Sequence, residues 1–441
     1  MKKFTLHSKK LYRPFTDKEQ KRILCIFIAL LIIPSCFAVG LIGCNKDTPT
    51  PPQEDSSFEG TTLTVYSWKD PYQSEANTAW DIIEERYGFQ IEWRQMDQSK
   101  QVSIVSSHIA SNRQADIMLT KGSFPSVLTV LQPIENTEVN LSKFENQAIL
   151  KASAIDGKPY IAAGMCRFSG DFDICVYNKN IFEWAKLTTP KELYEKGEWT
   201  VENFVRLAKK ISELGKEYIG AQALEESSIS LSASPIYSLS KSKINFDCSE
   251  KLIASMSLLA DLRESGAIML SRGEFNNGKC GMALTTTYGL KRTGYFTTIN
   301  PEHVGATLYP KPTAEAEHIV CAPMTGWGVV KGCKNLKAAG LFLKDLLNPD
   351  EEIKSNDSLY VFGFHNDEIT DFYYDIYEQY NDRFVYYFCG DIANCTGIGD
   401  KFYNSWSTMS SEDIKKHITD SRPIMQQMCD KANTVLKDVN K

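Results

Sequence analysis

Residues 61–120 read TTLTVYSWKDPYQSEANTAWDIIEERYGFQIEWRQMDQSKQVSIVSSHIASNRQADIMLT, and this stretch decides the fold. Residues 62–66 alternate polar and apolar side chains as a strand does; Ala76, Trp80, Ile83 and Tyr87 then recur at helical spacing, and Gly88 supplies the stop. Residues 89–93 alternate again, Val102, Val105 and Ile109 put one apolar face on a helix over 101–111, and residues 116–119 read as a third strand. Strand, helix, strand, helix, strand is the pattern of an α/β architecture. In such sheets ligands sit beyond the carboxyl ends of the strands, so residues just after each strand are the first places to look for function.

Upstream, Lys2, Lys3, Lys9, Lys10, Arg13, Lys18, Lys21 and Arg22 precede an almost unbroken apolar run over 23–39, the order of an export signal. The run ends in Leu41-Ile42-Gly43-Cys44, which resembles a bacterial lipobox, with Cys44 as the acylated first residue of the mature chain. An uncleaved membrane-spanning helix is the other reading, against which Pro34 and the small residues at the end of the run count. Both leave the rest of the chain outside the cytoplasm, and the first places it at the outer face of the cytoplasmic membrane on a lipid anchor such as palmitate. Residues 1–43 are therefore expected to be signal peptide and 44–60, rich in Pro, Ser, Thr and acidic residues, a tether without a core. The leader carries eight Lys and Arg against two acidic residues, so the whole-chain net charge of −6 becomes more negative without it, and nucleic acid is an unsuited partner.

Roughly 380 residues follow the tether, too many for one hydrophobic core and suited to two lobes. Of the 12 cysteines, Cys25 and Cys36 lie in the leader and Cys44 is the acylation site; the rest are scattered, odd in number and without a C-x-x-C pair. Cys389 with Cys395 is the most local disulfide candidate, and free buried thiols are the alternative. No H-E-x-x-H, G-x-S-x-G, P-loop or dinucleotide fingerprint is present, and His108, His303, His318, His365 and His417 are isolated, so no cofactor, metal or catalytic motif is found.

Several short motifs follow one another in a familiar order: TLTVYSW, SSHIASNRQADIML, LQPIEN, DGKPY at 156–160, VYNKNIFE at 176–183, GEWTVENFVRLAKKI at 197–211, FNNGKCGMALTTTYGL at 275–290 and GWGVVKGCKNLKAAGLFLKDLLNPD at 326–350. In order and spacing they resemble the family 1 extracellular solute-binding proteins of bacterial ABC importers, from Thr61 to the C-terminus. The resemblance implies a type II periplasmic-binding-protein-like α/β fold of two lobes with a ligand cleft between them and two or three chain crossings at the hinge. Positions carried over from it put 61–175 and 306–348 in lobe 1, and 176–305 and 349–441 in lobe 2, with crossings near 175–179, 304–311 and 348–353. It further implies a monomer without enzymatic activity that captures a small solute, a sugar or oligosaccharide, and passes it to two ABC permease subunits.

Sugars present apolar C–H faces edged by hydroxyls, and so call for aromatic rings with polar groups beside them. Trp68 follows the first strand with Asp70 close behind, Asp116 starts the third strand, Tyr288 follows ALTTT, and Trp327 stands in a Gly-Trp-Gly; Arg167 precedes the first crossing. By the resemblance, Trp68, Tyr288 and Trp327 face the cleft. Asp116 has an alternative role as a cap or as a partner of Arg113. Trp80, Trp93 and Trp184 lie in periodic elements and read as packing residues, and Trp199 as the anchor of a helix that Thr200 caps. The aromatic segment 372–406 reads as packing in lobe 2 or as extra cleft wall. A secreted carbohydrate-active enzyme, which needs paired carboxylates, and a ligand-sensing module for a membrane receptor are the alternative functions.

Overall fold

The computed structural model describes residues 58–68, 70, 79–164, 169–271, 273–290, 296, 298–356, 366–388 and 405–439. The leader, Cys44 and most of the tether lie outside them, as do Arg167, Cys166, Cys389 and Cys395. No helix among the described residues is long and apolar enough to cross a membrane. Cys175, Cys248, Cys280, Cys321, Cys333 and Cys429 are free thiols.

The opening pattern folds as its periodicity predicts. Strands β1 (Thr62–Ser67), β2 (Gln90–Gln95) and β3 (Ile117–Lys121) pair in parallel, with the helices Ala79–Tyr87 and Gln101–Ala110 between them. β4 (Leu131–Gln132) and β13 (Thr325–Val330) complete a five-stranded sheet in the order β2-β1-β3-β13-β4, β13 running antiparallel to both its neighbours. Strand alternation sends Leu63, Val65, Ile117, Leu119, Trp327 and Val329 to one face, where Trp80, Ile83 and Phe342 of the covering helices meet them. The opposite face contributes Tyr66, Met118 and Leu131 to a second core that continues into the other lobe.

The second sheet has the order β11-β5-β10-β6-β9, built from β5 (Asp173–Asn178), β6 (Ile219–Ala223), β9 (Ile268–Leu270), β10 (Cys280–Thr286) and β11 (Val304–Leu308). β5 is antiparallel to β10 and β11, while β6, β9 and β10 are parallel. The lobe boundaries expected at 175/176 and 305/306 therefore cut through two strands of this sheet. Strand pairing sets the division: β5 and β11 hydrogen-bond to each other and lie wholly in lobe 2, so the chain passes between sheets before residue 173 and after residue 308. Two small pairs, β7 (Tyr237–Ser240) with β8 (Lys243–Phe246) and β12 (Cys321–Pro323) with β14 (Val385–Tyr387), finish the strand inventory of the described residues. In this last ribbon β12 lies on the passage from β11 to β13, and β14 comes from the C-terminal region.

Trp199 is fully buried, its indole N–H donating to the Leu308 carbonyl at 2.7 Å, and Thr200 caps the helix Val201–Ser212 by accepting the Asn203 N–H at 3.3 Å. Trp184 differs from its expected packing role: it is 60 % exposed and stacks on Tyr218 at the surface, centroids 5.5 Å apart. The helix Asp367–Tyr380 packs on β11, whereas the final helix Ser411–Val439 lies against β8 and the helix Glu250–Glu264 and also reaches the turn Ser126–Thr129 after β3. The described residues of 349–441, expected in lobe 2, thus also reach lobe 1.

Asn146 ties this C-terminal region to lobe 1. It is fully buried; its Oδ1 accepts the Ile149 N–H at 3.1 Å, capping the helix Gln147–Ala152, and its Nδ2 donates to the hydroxyls of Tyr386 at 2.6 Å and Tyr377 at 3.3 Å. Asn146→Ala removes the cap and the 2.6 Å partner of the buried Tyr386 hydroxyl, an expected loss of about 2–4 kcal/mol. Asn140→Ala, at an exposed turn where Oδ1 accepts only from Ser142, serves as the small-effect comparison, and urea unfolding midpoints measure both.

Candidate functional site

The carboxyl ends of strands from both sheets converge on one cavity of about 270 Å³. Lys121 ends β3 and Gly122 follows it; Leu224 follows β6, Thr286 ends β10 with Tyr288 just beyond, and Tyr309 follows β11. Asp173 begins β5, and because β5 runs antiparallel to β10 it stands at the same end of the sheet, its register partner being Thr286. The ribbon closes one side with Pro323, Tyr387 and Phe388, the Phe388 ring lying 4.8 Å from that of Phe124 in lobe 1. Gly122 has φ +72°, a left-handed conformation directly after Lys121 that glycine adopts without strain.

Polar groups sit between these rings. Asp173 is 4 % exposed; Ser230 donates to its Oδ2, and Tyr387 donates to its Oδ1 at 3.2 Å. Tyr309 donates to Ser227 Oγ at 3.1 Å, and Glu226 and Thr285 complete the polar lining. Burial pushes the Asp173 carboxyl up to about 8, opposed by its two hydroxyl donors and aided by the nearby charges of Glu226 and Asp171. Burial also drives the Tyr309 hydroxyl well above the usual phenol range. Near neutral pH, Asp173 is held mostly as the acid, able to donate as well as accept. The arrangement suits an uncharged, hydroxyl-rich ligand: aromatic faces for apolar patches, with donors and acceptors beside them.

The model of the bacterial extracellular solute-binding protein family matches residues 60–353. The chain belongs to this family. Among solved structures, this solute-binding protein is similar to the galacto-N-biose/lacto-N-biose I-binding protein of an ABC transporter from Bifidobacterium longum, with TM-score 0.59 and 14 % identity over 86 % of this chain and 98 % of that one. A substrate-binding protein from Listeria monocytogenes in complex with cycloalternan gives TM-score 0.58 and 15 % identity over 83 % and 98 %. The cyclic α-maltosyl-1,6-maltose binding protein from Arthrobacter globiformis gives 0.59 and 16 % over 86 % and 99 %. At these identities the likeness establishes the two-lobed fold. No curated protein sequence matches the chain.

Of the residues singled out from the sequence of this solute-binding protein, the cavity takes Tyr288. Trp68 stands past the end of β1, at the same edge of the sheet as Lys121, but packs half-buried against the lobe 1 core, and Asp70 is half-buried nearby in sequence. Asp116 is at the wrong end of β3, about 16 Å along the strand from Lys121. Its work there is structural: Oδ2 accepts the Thr64 N–H at 3.0 Å, and Oδ1 accepts the Lys334 N–H and the Cys333 thiol, each at 3.2 Å.

Trp327 is a correction of a different kind. It is fully buried between the sheet and its helices, edge-on to Trp80 and Phe342 with centroids 6.0 and 6.3 Å away. The flanking glycines do not free its ring. They face the other way, where a Cβ on Gly326 would come within 2.5 Å of the Ala162 carbonyl and one on Gly328 within 2.6 Å of Leu131, because the segment around Ala162 pairs with Trp327 through N–H to O distances of 2.7 and 2.9 Å. The residues that sequence reasoning missed, Lys121, Asp173, Glu226, Thr285, Tyr309 and Tyr387 among them, sit mostly at strand ends, where the carboxyl-end rule points. Finding them required strand ends accurate to one residue and the direction of β5.

Two outcomes test this assignment. Trp327→Ala is expected to cost about 3–5 kcal/mol of stability as a core truncation, while Trp327→Phe leaves ligand affinity within a few-fold; unfolding curves and titration of a bound ligand separate the two. An unfolded aspartate ionises near pH 3.9. Between that value and about 8 the folded chain keeps a proton on Asp173 that the unfolded chain has released, so the group lowers stability progressively as pH rises through the window, with no further change above it. Asp173→Asn removes this dependence, so the melting temperature of the variant relative to the parent rises from pH 4 to pH 8.

Proposed function

We propose that this solute-binding protein captures a sugar or short oligosaccharide in the cavity between its two sheets and delivers it to the paired permease subunits of an ABC importer. The observation that carries this reading is the cavity lining, in which Tyr288, Tyr309, Tyr387 and Phe388 alternate with Asp173, Glu226, Ser227 and the threonines at the end of β10. Solved relatives support it, since their names record lacto-N-biose, cycloalternan and cyclic maltosyl-maltose as ligands. The volume of about 270 Å³ lies just under the usual range of about 300–1,000 Å³ for small-molecule pockets, so short sugars come first. A ligand touching both lobes favours the closed arrangement by its differential affinity. The protein acts as a monomer without chemistry of its own, held at the outer face of the membrane by acylated Cys44. Trp68 and Asp70, which follow the carboxyl end of β1, are proposed at the rim.

A thermal-shift screen against mono- and oligosaccharides, with amino acids as controls, tests the reading, because a ligand at a hundred times its Kd stabilises the native state by about 2.7 kcal/mol. One sugar class is expected to raise the melting temperature, and Tyr288→Ala or Phe388→Ala to weaken that ligand at least tenfold. A shift by another solute class alone would overturn the sugar assignment, and cleavage of a sugar polymer would overturn the binding-protein reading.

A further inference from the structure

A second cavity, of about 580 Å³, lies away from the cleft on lobe 2, between the helices Pro190–Glu195 and Asp367–Tyr380 and over the edge strand β11. Glu368, Asp371, Phe372, Asp375, Ile376 and Gln379 all line it, at intervals of three, one, three, one and three, so the whole of one helical face looks into it. Lys191, Tyr194 and Glu195 face them from the other helix. We propose that this cavity binds a small organic cation, an amine or guanidinium carried on an apolar body.

The charge balance points that way. Lys191 is the one cation in the lining, and it is already used: Glu368 holds it at 2.9 Å and Lys179 at 2.6 Å. Glu195, Asp371 and Asp375 have no ion pair among the described residues, and Asp371 and Asp375 are like charges one turn apart, a mutually destabilising spacing on a helix. The floor adds acceptors. Thr307 is 1 % exposed, lines the cavity, and its hydroxyl has no hydrogen-bond partner among the described residues, an arrangement that buried polar groups seldom keep.

On β11 the Val304 and Leu308 carbonyls point outward to Asn366 and Trp199, so ladder alternation turns the Ala306 carbonyl the same way, toward the cavity it lines. A site so rich in acceptors matches a group that only donates, which describes an ammonium or guanidinium. The rings of Tyr194 and Phe372, both half-buried, offer faces for the cation and its apolar body. No cluster of His, Cys, Asp and Glu among the described residues converges closely enough for a metal ion. The carboxylates are spread along two helices, which favours an extended organic cation.

Calorimetric titration of the intact protein with tyramine and with agmatine at low salt tests this. Saturable binding of one equivalent is expected for at least one of the two probes, weakened at least tenfold in the Asp371→Asn and Asp375→Asn double variant. Binding should be unchanged in a charge-matched Glu412→Gln and Asp420→Asn control on the final helix. Melting curves of both double variants, near the parent value, show that folding is intact. No saturable binding of either probe, an equal loss in the control pair, or a loss in Tyr288→Ala, which would put the cation in the cleft, each overturns the proposal.

Discussion

The buried carboxyl of Asp173 is the point on which the cleft depends. It begins β5 at the place where the chain has just passed from the first sheet to the second, and it is held by Ser230 from the helix Ser227–Ser232 and by Tyr387 from the C-terminal ribbon. Three segments distant in sequence are thereby fastened at one side chain. Burying it as an ion would be costly, and the acid form meets that constraint while keeping two hydroxyls engaged. Tyr387 is fixed in turn, so the C-terminal segment supplies a wall of the cavity and does not merely cover the hinge.

Around that point the aromatic side chains have divided roles. Phe172, next to Asp173, stacks on Tyr373 and Phe384, and the Tyr373 hydroxyl donates to the Gly170 carbonyl at 2.7 Å. Asn146 holds Tyr377 and Tyr386 from the lobe 1 side. These rings form packing that spans both lobes, whereas Tyr387 and Phe388, the next residues along, turn to the cavity. The described part of the aromatic segment therefore supplies both packing and cavity lining. Period-2 alternation through β14 separates Tyr386 from Tyr387, and Phe388 follows just past the end of the strand.

The same division separates the two cavities. The cleft uses few charges and many hydroxyls, so an uncharged polar ligand loses little on entering it. The cavity over β11 has carboxylates on two helices and acceptors on its floor, and an uncharged ligand would leave them unanswered. Both sites exist because sheet edges and strand ends carry backbone and side-chain groups that neither core covers.

By itself, the sequence determined the α/β alternation, the first three strands and their helices, the Thr200 cap and the family. All of these rest on local periodicity, on capping chemistry, or on the order of motifs along the chain. It also singled out Tyr288, which lines the cavity, because that residue follows a strand whose end was well marked. Trp68, Asp116 and Trp327 looked equivalent to it at that level, since each borders a strand. Only the tertiary structure decided between them. Asp116 stands at the amino end of its strand, Trp327 lies on the face that the helices cover, and Trp68 leans on the core of lobe 1. Which face a strand turns to the cleft, and which end, is set by its pairing partners, and those lie far away in sequence. Asp173 shows the limit plainly: it enters the cleft only because β5 pairs antiparallel with β10, more than a hundred residues on.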